Sequence, residues 1–290
     1  MGVVWTCGPR RRRLPGVIEA LLLGIVGSSA LVLGGVLGAY WAAPTRFSGV
    51  LLAFASGTLL SALAFELFPE AVELGGLGAA GAGLLAGGAT FVVVNTWLDS
   101  RVAAQAGDPT EVPAPDELSE ALSGAEANQQ EKVKVAASGV GPAVGFALLA
   151  AVTLDGVPEN LALGVSLLGS QQAGEGSGGT LALLVAIFTS NFPEALVGAV
   201  AMRAANRSVG FAVAVWSGTA VLLTVAVVVG YGALAGLAEA SLAFPLSFAG
   251  GAVLASLADT LMPEAFEHGR PLNSLATAVG FFVSFILAGG

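Results

Sequence analysis

Residues 55–75 read ASGTLLSALAFELFPEAVELG, and residues 249–269 read AGGAVLASLADTLMPEAFEHG. Aligned at an offset of 194 residues, the two segments are identical at 11 of 21 positions. Both begin as apolar helices and end in the frame Pro-Glu-Ala-x-Glu-x-Gly. Two alanine-rich and leucine-rich helices would share several positions by chance, but they would not readily share this frame. The pattern therefore indicates an internal repeat.

The composition indicates a membrane protein. Hydrophobic residues make up 55% of the 290 residues and charged residues 11%, whereas soluble domains carry about 25% charged residues. The mean hydropathy is +0.84. The formal net charge of −9 argues against nucleic acid as a partner. The single cysteine, Cys7, excludes an intrachain disulfide and a cysteine-based zinc site.

A membrane-spanning helix needs about 20 predominantly apolar residues. The uncharged runs, with a Gly/Ser-rich turn at Gly174–Gly179, predict an all-α polytopic membrane protein of eight transmembrane helices. The predicted helices cover residues 16–42, 47–70, 76–98, 141–169, 180–203, 208–236, 242–266 and 272–290. Helices 2 and 7 carry the repeated segments and cross in opposite directions because they are five helices apart. This is the pattern of an inverted-topology repeat, here 3+2+3, and such transporters bind substrate near the midplane.

Four regions follow from this pattern. Residues 1–98 hold the N-terminal tail and helices 1–3, and residues 99–140 form an acidic linker predicted to be disordered. Residues 141–203 hold helices 4 and 5, which carry the candidate metal site. Residues 204–290 hold helices 6–8, the inverted repeat of helices 1–3.

The basic residues predict the orientation. Seven of them lie in odd-numbered loops, which the positive-inside rule assigns to the cytoplasm. The linker 99–140 is then cytoplasmic, and both termini lie outside. The cluster Arg10–Arg13 would also lie outside, against this rule, and the apolar run after it is too long for a signal peptide. We expect a multi-pass protein of the cell (plasma) membrane.

Two related motifs lie in the central pair of helices. Helix 4 contains TLDGVPENLALG (153–164) and helix 5 contains TSNFPEALVGA (189–199). In both, a polar residue stands three positions before Pro-Glu, and a leucine stands two positions after the glutamate. Pro158 and Pro193 each free a backbone carbonyl one turn earlier, and such carbonyls can turn toward an ion.

The two motifs embed carboxylates in the membrane. Asp155 and Glu159 are four residues apart, as are Ser190 and Glu194, so each pair projects from one helix face. A carboxylate at the bilayer centre costs about 2.5–3.5 kcal/mol even on lenient scales. Since every Lys and Arg lies in a loop or tail, the remaining counter-charges are protons or metal ions. Asp, Glu, Asn and carbonyl oxygens suit hard or borderline divalent cations.

Four further residues lie nearer the helix ends, namely Glu66, Glu70, Glu264 and His268. They are candidates for a pathway that guides ions toward or away from the central helices. Solvated placement at the membrane interface is the alternative for each of them.

The two motifs resemble those of the ZIP (Zrt/Irt-like) family of divalent metal transporters. That family has eight helices, both termini outside, a variable cytoplasmic loop after helix 3 and a 3+2+3 inverted repeat. Its helix 4 motif is His-Asn-x-Pro-Glu-Gly and its helix 5 motif is x-Asn-x-Pro-Glu-Gly, which match the stretches that begin at Asp155 and Ser190. The segment LMPEAFEHG of helix 7 also resembles a family stretch.

This chain departs from the family pattern at several ligand positions. Asp155 replaces the helix 4 histidine, Gly156 replaces its asparagine, and Ser190 replaces the helix 5 histidine or glutamine. Val221 occupies the position where helix 6 of the family often supplies a glutamate. The resemblance then implies one oxygen-rich site that favours manganese, iron(II) or magnesium more, and zinc less, than its relatives do. The predicted metal residues are Asp155, Glu159, Asn160, Ser190, Asn191 and Glu194.

The predicted function is inward transport of divalent cations such as zinc, iron or manganese by alternating access, with the metal ion as substrate. No P-loop is present to use ATP. Three alternatives stay open: a degenerate homologue that binds or senses metal without moving it, an antiporter like the cation/calcium exchangers, and an intramembrane enzyme. The third is disfavoured because Gly-x-Gly-Asp and an intramembrane Ser/His pair are missing, so we expect no enzyme. The expected partners are membrane lipid and divalent ions, and small-residue helix faces would permit a homodimer.

Overall fold

Helices form every regular element in residues 13–41, 43–106, 142–173 and 178–287, the part of the chain that the computed structural model describes. The α-helices are α1 (Arg13–Tyr40), α2 (Thr45–Ala62), α3 (Phe68–Ala106), α4 (Pro142–Ala173), α5 (Gly178–Ala204), α6 (Val209–Leu234), α7 (Ala243–Ser256), α8 (Met262–Gly269) and α9 (Asn273–Leu287). Side chains are described for residues 16–41, 43–97, 156–172 and 179–287. Within these ranges the predicted all-α class is confirmed.

In the described residues, five helical stretches are long and apolar enough to cross a membrane. They are Gly16–Tyr40, Thr45–Trp97, Gly179–Ala204, Val209–Leu234 and Glu239–Gly269. Asn273–Leu287 is apolar but shorter. Large apolar side chains such as those of Leu85 and Val93 are exposed on the outside, whereas many alanines are fully buried. This distribution is typical of helices that pack closely within lipid, and it agrees with a multi-pass membrane protein.

Gly76 reverses the chain between α2 and the main part of α3. Its φ of 82° and ψ of 164° interrupt an otherwise helical stretch, and glycine adopts this positive φ without steric cost. On one side of it, the α2 segment runs antiparallel to α7 and α8, because Gly49 packs on Gly269 and Gly250 packs on Leu63. On the other side, α3 runs parallel to α7, because Gly83 packs on Phe244 and Gly87 on Phe248.

A π-helical turn precedes each proline of the repeated segment. The turns cover Leu63–Leu67 and Leu257–Leu261, which are also related by an offset of 194 residues. A proline has no N–H to donate, and its ring collides with the carbonyl four residues earlier. For Pro69 that residue lies inside the first turn, and for Pro263 it lies inside the second. Widening the helix to a π turn relieves this collision, so the sequence repeat is also a structural repeat.

Close glycine contacts follow the same repeat. A glycine lets two backbones approach each other, because no Cβ stands between them. Three matched pairs of such contacts occur: Gly57 on Thr277 with Gly251 on Leu84, Gly280 on Phe54 with Gly87 on Phe248, and Gly38 on Leu196 with Gly230 on Leu161. In each pair, a glycine of the N-terminal half and a glycine of the C-terminal half pack on the backbone of corresponding helices.

The helices pack in two groups. The first group contains α1, α4, α5 and α6, and the second contains α2, α3, α7, α8 and α9. Contacts of α2 with α5 and of α4 with α7 join the two groups. Both predicted metal motifs therefore belong to the first group, next to the repeated segments of the second.

Most predicted helix bounds agree with the structure within a few residues. The largest difference is at the end of helix 3, predicted near residue 98, because α3 continues to Ala106. The first eight residues of the predicted disordered linker, 99–106, are thus helical. The rest of that linker and the first 12 residues, with most of the Arg10–Arg13 cluster, lie outside the described residues.

Candidate functional site

The two Pro-Glu motifs meet at the interface between α4 and α5. The single hydrogen of the Ser190 hydroxyl is shared between Oε2 of Glu159, at 3.4 Å, and the carbonyl oxygen of Ile187, at 3.0 Å. Ser190 is fully buried and Glu159 is 2% exposed. The sequence predicted that each residue projects from a polar helix face, and the structure brings these two faces together.

This meeting point lies deep in the bundle. Glu159 is ten residues before Gly169 in α4, and Ser190 is eleven residues after Gly179 in α5. At about 1.5 Å per residue, both side chains lie about 15 Å along their helices from these two glycines, which are near the end of α4 and the start of α5. This distance is about half of a bilayer core of about 30 Å.

Glu194 extends the site by one helical turn. Glu194 is 6% exposed and lies on the same face of α5 as Ser190. In α4, Asp155 stands one turn before Glu159, at the position that corresponds to Ser190 of α5. Its side chain lies outside the described residues. Among the side chains that are described, no three His, Cys, Asp or Glu residues come together as a group able to hold a metal ion. Three carboxylates at this site would therefore require Asp155.

Asn191 connects the site to α1. Its amide nitrogen donates a 3.2 Å hydrogen bond to the carbonyl of Gly27. The side chain is fully buried, and its Oδ1 accepts no hydrogen bond within the described part of the chain. A buried amide oxygen without a donor is a free ligand atom next to Ser190. The predicted role of Asn191 as an oxygen ligand is compatible with this geometry.

Asn160 lies on a different face of α4. It is four residues from both Gly156 and Gly164, so these three residues form one stripe. Gly156 packs on Leu223 and Gly164 packs on Val227, both in α6. Asn160 donates to the Gly156 carbonyl at 2.8 Å, and its Oδ1 has no hydrogen-bond partner among the described residues. Asn160 therefore lies on the stripe of α4 that packs against α6, one residue along the chain from Glu159.

Packing against α6 also explains the glycine at position 156 of the first motif. A Cβ at Gly156 would lie 2.6 Å from a methyl carbon of Leu223, so no larger side chain fits there without movement. On α6, Val221 is 65% exposed and faces away from the bundle interior. The neighbouring buried residues are Thr219 and Leu223. A ligand at position 221 would not reach the site between α4 and α5.

Glu66 and Glu70 lie at the end of the bundle where α4 ends and α5 begins. The Ser166 hydroxyl donates a 3.0 Å hydrogen bond to Oε2 of Glu70. Ser166 and Ser170 also lie 3.3 and 3.2 Å from the hydroxyl oxygen of Thr180. The two glutamates are separate from the Glu159–Ser190 contact.

The three hydroxyl residues of this cluster were missed by sequence reasoning. Their spacing carried a signal, because Ser166 and Ser170 are seven and eleven residues after Glu159 and therefore share its helix face.

Glu264 and His268 lie near the opposite end. Glu264 is 1% exposed, and the half-buried His268 has Nδ1 3.2 Å from the Glu264 carbonyl oxygen, to which it donates. This end, the arginine-bearing end, also carries Arg46, Arg203, Arg207 and Arg270. The opposite end carries Glu66, Glu70 and the hydroxyl cluster, together with Arg13 at the start of α1.

The chain was compared with known proteins. Neither a family model nor a curated protein sequence matches it.

Proposed function

We propose that this protein is a carrier that moves divalent metal cations across a membrane through a site between α4 and α5. The observation that carries the proposal is the contact between Glu159 and Ser190, which joins two Pro-Glu motifs in the middle of the bundle. A buried carboxylate at this depth needs a compensating charge. The described basic residues lie at the helix ends, so we assign the compensating charge to a bound cation or a proton.

The site that we propose consists of oxygen ligands. Glu159 and Glu194 would bind the cation directly, with Asp155 from the turn before Glu159. Ser190 and Asn191 would supply neutral oxygens from the facing motif. Such a donor set, without nitrogen or sulfur, favours manganese, iron(II) or magnesium over softer metals.

The membrane arrangement that we propose has eight spans in the order 3+2+3. Gly76 divides the 53-residue stretch Thr45–Trp97, which at about 1.5 Å per residue is much longer than a bilayer core of about 30 Å. With α4 and α9 added, the five long stretches become eight. The matched π turns and glycine contacts support a repeat in which helices 1–3 correspond to helices 6–8.

The arginine-bearing end is the cytoplasmic end in this proposal, following the positive-inside rule. Both termini would then lie outside the cell, and the cation would enter from the end that carries Glu66 and Glu70. The site belongs to the first helix group, so movement of this group against the second would expose it to each side in turn.

The resemblance of both motifs to the ZIP family supports inward transport. It also leaves a non-transporting metal binder as the second candidate, because the motif histidines are absent. An exchanger is a weaker candidate, because exchanger motifs lie in distant halves of the chain, whereas Pro158 and Pro193 lie on consecutive helices.

Uptake into proteoliposomes with manganese, iron(II), zinc and magnesium tests the proposal. Wild type should accumulate at least one of these ions, and Glu159→Gln and Glu194→Gln should abolish uptake and lower affinity. Glu73→Gln, which removes an exposed carboxylate, is the matched control and should behave as wild type. Equal uptake by all four proteins would overturn the proposed site, and tight binding without uptake would favour the non-transporting binder.

A further inference from the structure

We propose that Glu66 and Glu70 form a gate between the Glu159–Ser190 site and the end of the bundle where α4 ends and α5 begins. The inference rests on the proposed function, since it concerns access to that site. The gate would consist of two carboxylates of the second helix group, each seated on a glycine of the first group.

The first contact joins Glu70 to Gly169 of α4. A Cβ at Gly169 would collide with Oε1 of Glu70, so the carboxylate occupies the space that a side chain at this position would take. Ser166, one turn earlier, holds the other carboxylate oxygen with its 3.0 Å hydrogen bond. The carboxylate is thus fixed against α4 by one steric and one polar contact.

The second contact joins Glu66 to Gly179 of α5. A Cβ at Gly179 would collide with Oε2 of Glu66, in the same manner as at Gly169. Glu66 lies in the first π turn, and Glu70 follows Pro69. The irregular helix therefore presents two carboxylates, four residues apart, to two different helices.

The two glycines lie on either side of the connection between α4 and α5. Thr180, next to Gly179, contacts Ser166 and Ser170 through its hydroxyl, which joins the two helix ends to each other. Together these contacts hold the first π turn and the start of α3 against α4 and α5. Because the glutamates and the glycines belong to different helix groups, relative movement of the groups must separate them.

The arginine-bearing end repeats the carboxylate of Glu70, as Glu264, but not the serine and glycine that contact it. The two central helices are related by an offset of 35 residues, as the prolines at 158 and 193 show. By this offset Ala201 stands for Ser166, Ala205 for Ser170 and Ala204 for Gly169. The serine and the glycine that contact Glu70 therefore have no counterpart in α5 by this offset.

Access to a cysteine placed below the gate tests the proposal. Leu183 is buried, lies one turn further along α5 than Gly179, and shares the helix face of Ser190. In a Cys7→Ser, Leu183→Cys background, a membrane-impermeant thiol reagent is applied to vesicles from the side of Glu66 and Glu70. Adding Gly169→Ala or Gly179→Ala should raise the labelling rate by at least about fivefold, the lower limit of a typical coupling between two states.

Matched variants separate the gate from general loosening. Gly232→Ala places a Cβ where nothing lies within 4 Å, so it should leave the labelling rate unchanged. Shortening the opposing side chain in Gly169→Ala/Glu70→Asp should restore slow labelling, because the carboxylate withdraws from the new methyl group. Glu70→Ala removes the contact without adding bulk and should also accelerate labelling. It decides the question if the glycine variants do not fold.

Labelling at the parental rate in folded Gly169→Ala, Gly179→Ala and Glu70→Ala would overturn the gate. Equal acceleration by Gly232→Ala would overturn it as well. The readout needs no cation and no transport, so failure of the proposed cation site leaves this result interpretable. Conversely, an unchanged labelling rate together with normal cation uptake would remove the gate and keep the carrier.

Discussion

The hydroxyl of Ser190 lies 3.4 Å from Oε2 of Glu159, across the interface between two consecutive helices. Each residue belongs to a Pro-Glu motif, and their positions differ: Ser190 stands three residues before its proline, whereas Glu159 follows its proline directly. By the 35-residue offset between the motifs, the equivalent contact would join Asp155 to Glu194. The site would then consist of two related pairs, one with a hydroxyl and one with a second carboxylate.

Ser190→Ala is expected to lower cation affinity by about tenfold, because it removes one neutral oxygen and the hydrogen bond that orients Glu159. Ser190→Asp, which keeps an oxygen at this position, should retain binding. Isothermal titration of the purified protein with manganese measures both. Wild-type affinity in Ser190→Ala together with lost binding in Ser190→Asp would contradict a ligand role for Ser190.

The two asparagines should respond differently to truncation. Asn191→Ala is expected to lower both cation affinity and thermal stability, the latter by about 1–3 kcal/mol, because the Gly27 carbonyl loses a buried donor. Asn160→Ala should leave cation affinity within about twofold of wild type, because its helix face packs against α6 and not against α5. Thermal unfolding in detergent and cation titration measure the two effects. A large loss of affinity in Asn160→Ala would refute its assignment to the α6 interface.

Gly156→Ala is expected to destabilise the protein by about 1–3 kcal/mol, because its Cβ collides with Leu223. Leu223→Ala in the same chain should recover most of this loss by vacating the space, although it costs stability alone. A double-mutant cycle by thermal unfolding measures the coupling between the two positions. Additive effects would show that the two side chains do not compete for space.

The proposed topology predicts opposite access at the two ends of α6. In a Cys7→Ser background, Gly210→Cys should react with an impermeant thiol reagent from the cytoplasmic side, and Gly236→Cys from the outside. Both positions are exposed, and a Cβ meets nothing within 4 Å at either one. Reaction of both from the same side would refute a membrane crossing by α6, and the reverse pattern would invert the orientation.

Helix positions and the repeat could be predicted well because their causes are local. An apolar run of about 20 residues is sufficient to indicate a membrane helix, and each proline disturbs only the turn before it. The π turns before Pro69 and Pro263 were not predicted. A proline inside a helix produces either a kink or a π turn, and packing around the helix selects between them.

The pairing of side chains at the site could be predicted only in part. Periodicity placed Ser190 and Glu194 on one face of α5, but it could not tell which residue of α4 faces them. Asn160 differs from Glu159 by one residue, which is about 100° around the helix. The glycine contacts with α6 turn Asn160 away from α5 and leave Glu159 toward it.

The linear order of apolar, basic and proline residues alone determined the helical class, the membrane character and the two Pro-Glu motifs, because these depend on short-range periodicity and solvation. The partners of each polar side chain depended on tertiary structure, because the rotation of a helix about its axis is set by its neighbours. The contacts of Glu66 with Gly179 and of Glu70 with Gly169 join residues about 100 positions apart. Such contacts exist only when three helices pack together.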